Sequence, residues 1–561
     1  MKFANRYYRL RGTIFIIFTK ILKLKKFQLF LLSVLSGELL AFAWFPHGTV
    51  FLLFVAFVPL LIVEQTVFQN PEKYKSRAVF FLSYITFFIW NVQTTWWIVN
   101  ASYGGAALAI ILNSLFMALV FLFFHRIKKR VGAKWGSLVF ISCWITFEFL
   151  YFGDQVTWPW LTLGNAFADN PGIIQWYEYT GVFGGSLWVL LINCILFSCI
   201  DLVADKISFK ANKKKIITLA ISLLLPVLFS IILSNTYHIN DTVEPKEYKV
   251  VIVQPNIDPY NEKFSGSYEE QLHKMLVLAS QKVDSTTDYL IFPETALIED
   301  IWEDEFEETS SIKTIRQYMK KFPKLKIITG ASTVKAFKPG EPLTSTARKI
   351  TGGDFFYDAY NTGLQIDNTD KIQVYHKSKL VPGVEQMPFQ FIFKYFDKLA
   401  LQMGGTTGSL GTQKERAVFV SSGDSIKAAP VICYESIYGE YVTGYIKKGA
   451  QFISIITNDG WWGDTPGYRQ HLKYGRLRAI ENRRWITRSA NTGTSCFISP
   501  LGEIQQATEW WKPASIAGEI ELNNELTFYT RFGDYIGRIA MYSAILLIIY
   551  SWLIRFRIIK K

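Results

Sequence analysis

Three reactive residue types stand at the ends of hydrophobic, strand-like runs in the second half of the 561-residue chain. Cys433 follows "APVI", Glu294 follows "YLIFP", and Lys377 lies just past the apolar run in "VYHKSK". A thiolate is a nucleophile, a carboxylate can act as a general base, and an ammonium group beside a reacting carbonyl stabilises an oxyanion. The three residues are therefore candidates for these three roles.

The local sequence predicts how each environment tunes its group. Cys433 falls at a predicted strand-to-helix junction, where the helix dipole would lower the pKa of the thiol. Apolar surroundings would raise the pKa of Glu294 toward neutrality, which suits a general base. Simpler roles stay open: Cys433 as a small buried hydrophobe, Glu294 as a first-turn helix residue, and Lys377 as part of a surface charge cluster with Lys379 and Glu385.

The other cysteines and the histidines carry weaker signals. Cys143, Cys194 and Cys199 fall in apolar segments, Cys496 is predicted to lie in a strand, and an odd total of five leaves at least one free thiol. The six histidines make no metal-ligand spacing and no obvious Cys/His pair, and no phosphate-binding loop or dinucleotide fingerprint is present. We therefore expect no metal and no nucleotide cofactor, and a base other than histidine.

The segment that holds these candidates predicts an α/β layered domain, because strand-like and helical patterns alternate along it. Functional groups of such a domain are expected just past the strand ends. The predicted buried strands are 248–257, 288–296, 326–332, 427–436 and 452–463. The predicted helices are 267–283, 308–321, 435–448 and 466–484.

The composition indicates a membrane protein. Charged residues make up 19% of the chain, below the roughly 25% of soluble domains, while aromatic residues reach 16% and the mean hydropathy is +0.17. These values exclude a disordered chain and a small disulfide scaffold. Windows long enough to span a bilayer lie at about 28–45, 48–68, 78–99, 105–124, 135–152, 182–200, 216–234 and 538–554.

The distribution of the net charge of +14 predicts how the chain is oriented in the membrane. Lys and Arg concentrate in alternate loops, at the basic amino terminus and in the final "RFRIIKK", and such residues are retained in the cytoplasm. This pattern predicts a seven-span membrane domain at 1–234, an extracytoplasmic domain at 235–535, and a last span with a cytoplasmic tail at 536–561. Because the middle segment is nearly neutral, we expect no nucleic-acid binding.

Two features of the predicted spans allow more than one interpretation. The first apolar run ends at Ala41-Phe42-Ala43, which is typical of a signal-peptide cleavage site, but we expect an uncleaved span because six more windows follow. Glu38, Glu64 and Glu148 lie in predicted spans, where acidic residues are functional candidates by default. A transporter with an appended binding domain would use them as relays, whereas Glu38 and Glu64 would snorkel if they lay near span ends.

The order and context of the three candidates resemble the Glu-Lys-Cys triad of the nitrilase superfamily. Glu294 lies in "FPETA", Lys377 in "YHKSKLVPGVE" and Cys433 in "ICYES", separated by 83 and 56 residues, and "TNDGWWG" and "RSANTGTSCFISPLGEI" are also similar. With seven spans before this domain and one after it, nearly the whole chain is similar to the apolipoprotein N-acyltransferase family. The resemblance implies a helical membrane bundle of about eight spans that carries a nitrilase-like α-β-β-α sandwich.

The resemblance also implies a cofactor-free, two-step acyl transfer in the bacterial inner membrane, with the catalytic domain in the periplasm. Glu294 would take the thiol proton, Cys433 would attack the sn-1 ester of a phospholipid, typically phosphatidylethanolamine, and Lys377 would stabilise the oxyanion. The resulting thioester would acylate the α-amino group of the diacylglyceryl-cysteine of an apolipoprotein, the last step of lipoprotein maturation. A membrane-tethered amidase that transfers the acyl group to water is the alternative enzyme, since it shares the triad.

Further site residues follow from the same resemblance. Glu385 matches a second essential glutamate of the family, and we assign it to positioning Lys377 and Glu294.

The resemblance also implies five supporting residues. Tyr434 and Glu435 match the residues that flank the nucleophile. Trp461 and Trp462 match an aromatic pair in a loop near the site, or alternatively they anchor the protein at the membrane interface. Phe264 stands where a tryptophan is common after the first strand.

Overall fold

The computed structural model describes residues 24–46, 48–153, 157–204, 209–237, 247–263, 265–350, 352–386 and 409–556. Up to residue 237 the described chain is helical, because apolar segments in lipid must satisfy their backbone hydrogen bonds internally. Its α-helices are α1 (Lys26–Phe42), α2 (Leu53–Ala56), α3 (Val58–Gln69), α4 (Arg77–Thr95), α5 (Tyr103–Val131), α6 (Gly136–Leu150), α7 (Tyr177–Thr180), α8 (Val182–Ala204) and α9 (Phe209–Thr236).

Seven helical stretches of the described chain are long and apolar enough to cross a membrane. Helix α1 occupies the first predicted window but has 17 residues, which rise about 25 Å against a hydrocarbon core of about 30 Å. A helix thus lies in each of the eight predicted windows. The seven stretches are Val50–Gln69, Arg77–Asn100, Tyr103–Val131, Ala133–Leu150, Val182–Ile200, Lys213–Thr236 and Tyr535–Arg555.

Large aromatic side chains hold the membrane helices together. Trp144 of α6 lies 5.0 Å from Phe57 and 5.3 Å from Phe87 between ring centroids, and Trp44 lies 5.6 Å from Trp90. All five rings are buried. Because lipid offers no hydrophobic driving force between helices, such close packing is what fixes their arrangement and gives the second half of the chain a firm base.

Two of the span carboxylates have local partners. Glu64 is fully buried and lies 2.7 Å from His125 Nδ1 and 2.5 Å from Lys128 Nζ, while Glu38 accepts two hydrogen bonds of 2.9 Å from Gln93. The snorkelling expected for Glu64 is therefore wrong, because a cation from α5 neutralises it inside the bundle. These pairs join α3 to α5 and α1 to α4.

The described chain from residue 247 to 521 forms two β-sheets with helices on their outer faces. The strands are β1 (Glu247–Gln254), β2 (Tyr289–Ile291), β3 (Leu297–Trp302), β4 (Lys326–Ala336), β5 (Arg348–Lys349), β6 (Phe356–Ile366), β7 (Gln373–His376), β8 (Phe419–Val420), β9 (Lys427–Ile432), β10 (Phe452–Thr457), β11 (Ile486–Ala490), β12 (Cys496–Ile498), β13 (Ile504–Gln505) and β14 (Ala514–Glu521). The helices that follow α9 are α10 (Tyr268–Ala279), α11 (Ser310–Met319), α12 (Gly439–Lys447), α13 (Pro466–Asn482), α14 (Phe528–Phe532) and α15 (Tyr535–Arg555).

The first sheet has the order β14-β1-β2-β4-β6-β5, with β3 paired to β4 and β7 to β6, and the second has the order β13-β12-β11-β10-β9-β8. The central pairs β1–β2, β2–β4, β9–β10 and β10–β11 are parallel, so their carboxyl ends share an edge of each sheet. Each predicted strand segment contains a strand, and each predicted helical segment contains a helix. Several strands lie outside the predicted strand segments, including β3, β5, β6, β8, β11, β13 and β14.

The two sheets face each other between two helical layers. Ser489 of β11 donates a hydrogen bond of 2.8 Å to the Val253 carbonyl of β1, which links the inner faces. On the outer faces, α10 and α11 share a buried apolar cluster with the first sheet, and α12 and α13 share one with the second. The α-β-β-α sandwich on a helical membrane base is thus confirmed as the fold.

The sandwich is seated directly on the membrane helices. Trp160, from the segment between α6 and α7, donates a 2.6 Å hydrogen bond to Gln470 of α13, and its carbonyl accepts one of 2.8 Å from Tyr474. All three side chains are buried. The contact is polar and enclosed, so the base and the sandwich form a continuous interior at this point.

Candidate active site

The predicted nucleophile lies on a tight turn at the end of β9. Cys433 has a φ of +50°, a left-handed conformation that is costly for a residue with a Cβ. A single 3₁₀ turn, Cys433–Ile437, follows before α12 begins at Gly439. Ser436 donates a 2.7 Å hydrogen bond to the Cys433 carbonyl, which closes the turn. Cys433 is 8% exposed, so the thiol is almost fully enclosed.

Glu435 connects this turn to the segment that carries Lys377. One carboxylate oxygen accepts a 2.9 Å hydrogen bond from the Ile432 amide, and the other accepts bonds of 2.6 Å from the Tyr375 hydroxyl and 2.7 Å from the Ser378 amide. Burial raises the pKa of Glu435, and these donors oppose the rise. The residue that was expected to flank the nucleophile therefore sets its position relative to Lys377.

A buried polar cluster lies at the carboxyl ends of β2 and β7. Lys377 Nζ donates to Glu294 Oε1 at 2.9 Å and to Glu385 Oε1 at 2.8 Å. Asn361 Nδ2 donates to the same two oxygens, at 2.7 Å and 3.0 Å. The second Glu385 oxygen accepts a 2.8 Å bond from the Val381 amide. Glu385 therefore contacts Lys377 directly and shares Asn361 with Glu294, and its role in positioning both residues stays a prediction.

Asn361 was not predicted as a site residue from the sequence. It belongs to β6, a strand whose mixture of polar and apolar residues gave no clear run. An asparagine in a strand carries no reactive signature, so only the pairing of β6 with β4 and β7 identifies it.

The Glu294 carboxyl is held as a carboxylate, contrary to the expected rise of its pKa. Burial acts to raise the pKa of Glu294, but the charge and hydrogen bond of Lys377, together with Asn361, bring the pKa below its usual value. Burial likewise acts to lower the pKa of Lys377, and the two facing carboxylates raise that pKa well above its usual value. The resting site therefore contains a fixed ion pair.

The Cys433 thiol also differs from expectation. Burial and then the Glu294 charge raise the pKa of the thiol, and Lys377 only partly opposes them. The expected lowering by a helix dipole is wrong, because a short 3₁₀ turn, rather than the first turn of a long helix, follows the sulfur. At rest the site holds a neutral thiol beside a carboxylate and an ammonium group.

A second buried network contacts the turn of Cys433 through the carbonyl of that residue. His471 of α13 lies 2.9 Å from Asp459 through Nδ1 and 3.1 Å from the Cys433 carbonyl through Nε2, and Arg488 donates a 2.5 Å bond to Asp459. Burial acts to raise the pKa of Asp459, but Arg488 and His471 bring it well below its usual value. His471 thus contacts the backbone of the predicted nucleophile. Its sequence context showed only helical periodicity.

The aromatic residues near the turn connect it to the membrane base. The Tyr434 hydroxyl donates a 2.9 Å bond to the Thr157 carbonyl. The Trp462 ring lies 5.1 Å from Trp97, and Tyr260 donates a 2.6 Å bond to the Trp461 carbonyl. The tryptophan pair thus contacts the membrane base and the loop after β1, and its two expected roles, a place near the site or an anchor at the membrane interface, stay predictions.

Phe264, a predicted site residue, lies outside the described residues, so its role stays a prediction. Within the ranges that the structure covers, no group of three or more His, Cys, Asp or Glu side chains is arranged to hold a metal ion.

Glu148, the third span carboxylate, also has local partners. It accepts hydrogen bonds of 3.0 Å from Trp144 and 2.9 Å from the Leu163 amide. These bonds hold the segment between α6 and α7 in place.

Comparison with known proteins agrees with the two-part architecture. Residues 249–525 match the model of the carbon-nitrogen hydrolase family, and residues 36–195 match that of the apolipoprotein N-acyltransferase N-terminal domain. Nit3 of Saccharomyces cerevisiae, a solved nitrilase-superfamily structure, is 13% identical over 51% of this chain and 93% of its own, with a TM-score of 0.35. The sheets, the domain match and the membrane helices define a membrane-embedded enzyme with a carbon-nitrogen hydrolase domain.

Relatives that match most of the chain identify the family within this class of enzyme. The apolipoprotein N-acyltransferase of Aquifex aeolicus is 30% identical, covering 66% of this chain and 75% of the relative. That of Chlorobaculum tepidum is 29% identical, covering 91% and 94%. The chain belongs to the apolipoprotein N-acyltransferase family and is an acyltransferase.

Proposed function

We propose that this protein transfers the sn-1 acyl chain of a phospholipid, through a thioester on Cys433, to the α-amino group of the diacylglyceryl-cysteine of a bacterial apolipoprotein. The observation that carries the proposal is the buried Glu294–Lys377 ion pair, with an N–O distance of 2.9 Å, which interacts electrostatically with Cys433. A nucleophile, a base and a cation in one enclosed site are the parts that acyl transfer needs.

In the first half-reaction the sulfur attacks the ester carbonyl carbon while its proton passes to Glu294. Because the pKa of the thiol is raised and that of Glu294 is lowered, this transfer is unfavourable until the carbon–sulfur bond forms. Lys377 stabilises the oxyanion. When the carbonyl reforms, the ester carbon–oxygen bond breaks, the lysophospholipid oxygen takes the proton from Glu294, and the thioester remains.

In the second half-reaction the neutral α-amino group attacks the thioester carbonyl. Glu294 takes the proton that the nitrogen loses, and Lys377 again stabilises the oxyanion. The carbon–sulfur bond then breaks and the sulfur recovers the proton from Glu294, which leaves an amide and a restored site. A thioester is reactive enough for amide formation without a nucleotide, so the cycle needs no cofactor.

The family supports a transferase over a tethered hydrolase, and the position of the site supports a lipid donor. Cys433 is 8% exposed, and the neighbouring Tyr434 donates to a residue of the membrane base. This contact joins the turn of Cys433 to the membrane base, which supports a membrane lipid as the acyl donor. We infer phosphatidylethanolamine as the donor and a diacylated apolipoprotein as the acceptor from the family alone.

We further propose a bacterial inner-membrane location with both termini in the cytoplasm and the sandwich in the periplasm. Lys128, Lys129 and Arg130 in the last turn of α5 and Arg555 at the end of α15 support this orientation. A reporter fused between β5 and β6, at residue 352, tests it: activity confined to the cytoplasm would overturn the assignment.

Mass spectrometry of the Cys433 peptide tests the chemistry. Incubation with a phosphatidylethanolamine of defined chains should add the mass of the sn-1 acyl group, and adding a diacylated lipopeptide should move that group to the peptide amine. C433A should take up no acyl group while keeping its melting temperature. Normal lipopeptide acylation by C433A would refute the mechanism, and release of free fatty acid in place of the amide would favour the hydrolase.

A further inference from the structure

A second lysine, Lys263, is buried beside the base. It is 4% exposed, and its Nζ donates to the Glu294 carbonyl at 3.3 Å and to the Thr295 hydroxyl. Thr295 has a φ of +45°, a strained conformation for a β-branched residue. The ammonium group therefore contacts the turn that aims the Glu294 side chain.

Local hydrogen bonds hold the Lys263 backbone in place. Its amide donates to the Asp258 carbonyl at 2.9 Å, and its carbonyl accepts a 3.0 Å bond from Gln271 of α10. Tyr260, in the same loop, donates to the carbonyls of Asn100 in the membrane base and of Trp461. These hydrogen bonds hold the loop, and with it Lys263, against the site.

The charges of the site need this lysine. Lys377 faces two carboxylates, Glu294 and Glu385, which leaves one negative charge over when the thiol is neutral. Lys263 interacts electrostatically with Glu294 and Cys433 and supplies a second positive charge beside these carboxylates. Glu435, a further buried carboxyl group, also interacts with Lys377. On the other side of the sulfur, Asp459 is already paired with Arg488 and His471. Burying an unbalanced charge is costly, so the second cation has a definite role.

We propose that Lys263 is a positioning residue for the base: its ammonium group fixes the Glu294–Thr295 turn and supplies the second positive charge that keeps Glu294 a carboxylate. The inference rests on the acyl-transfer function proposed above. Burial lowers the pKa of Lys263 to about 8, and Glu294 and Cys433 oppose the fall. The group is therefore a cation across the acidic range, where protonation of Glu294 would stop the reaction.

The test measures the initial rate of Cys433 acylation by phosphatidylethanolamine in mixed micelles against pH, with the full chain. We expect K263Q to move the acidic limb of the profile to higher pH by about one unit, because Glu294 loses a stabilising cation. The plateau rate should fall roughly tenfold with an unchanged half-saturating lipid concentration, because the turn is loosened. K263R, which retains the charge, should keep the wild-type limb.

K274Q is the matched control, because Lys274 also donates to a main-chain carbonyl, that of Asn256, at 3.0 Å. It should retain the wild-type rate and limb. An unmoved limb in K263Q would overturn the proposal whatever the plateau rate, since a merely structural lysine would slow the reaction equally at each pH. If K263Q does not fold, K263M carries the same expectation. Absence of any thioester in the wild type would instead refute the proposed function.

Discussion

Asn361 offers a direct test of how the site tunes its base. Its amide nitrogen donates to Glu294 at 2.7 Å and to Glu385 at 3.0 Å, and both donors disappear in N361L, whose side chain has nearly the same size. The hydrogen bond to Glu294 favours the charged form and so lowers the pKa of that carboxyl. Its removal should raise the pKa, so the base becomes protonated at a higher pH.

The size of the effect follows from the single bond to Glu294. A hydrogen bond to a charged group contributes about 1.5–3 kcal/mol, and each pKa unit corresponds to about 1.4 kcal/mol. The acidic limb of the acylation profile should therefore move up by about one to two pH units in N361L. Folding should suffer less than two lost bonds imply, because the Asn361 oxygen has no hydrogen-bond partner in the described structure and leucine removes that buried group.

The assay is the initial rate of Cys433 acylation between about pH 4 and pH 9, with protein stability checked at each pH. Q365L is the matched control: Gln365 lies on the same strand, is fully buried, and has no side-chain hydrogen bond within the described residues. It should keep the wild-type limb and the wild-type stability or better. An N361L profile that superimposes on the wild type would refute the assignment of Asn361 to tuning Glu294.

Two further predictions use pKa directions elsewhere on the chain. Because burial and Glu294 raise the pKa of Cys433, iodoacetamide should label it slowly at pH 7 and faster as pH rises; rapid labelling at pH 7 would contradict the neutral resting thiol. Burial and the neighbouring Glu440 raise the pKa of Asp534, just before α15, to about 8. The stability that the neutral Asp534 contributes is complete below about pH 4 and is lost as pH rises through 8. D534N should remove this dependence from the melting temperature, and a wild-type pH dependence in D534N would oppose the assignment.

The residues that could be predicted are those with a reactive group at a strand end. Cys433, Glu294 and Lys377 each follow an apolar run, at the ends of β9, β2 and β7. Because β2 and β7 belong to the first sheet and β9 to the second, the stacking of the two sheets brings the three residues together. Asn361 and Lys263 could not be found this way, because an amide and a loop lysine have many uses. Their contacts depend on which strands pair and how the loop after β1 folds.

The reversed pKa directions have the same origin. The expectation for Glu294 considered burial alone, and burial does act in the expected direction. The outcome depends on Lys377, 83 residues away in the chain, whose distance from the carboxylate only the fold determines. For Cys433 the expectation considered a helix dipole, which a five-residue 3₁₀ turn barely supplies. Sequence identifies the groups, and the fold decides the sign of their interactions.

The neutral resting thiol has a consequence for how one site serves two lipids. In the proposed mechanism, thiolate forms only while a carbonyl carbon is being attacked, because only then does the Lys377 ammonium gain an oxyanion to stabilise. Glu294 would give up its proton when the lysophospholipid leaves, so the ion pair with Lys377 would be restored before the acceptor amine arrives. The amine would therefore meet the same carboxylate that the thiol met. Because Glu435 joins the turn of Cys433 to the Lys377 segment, we propose that the two half-reactions need no rearrangement of the charged groups.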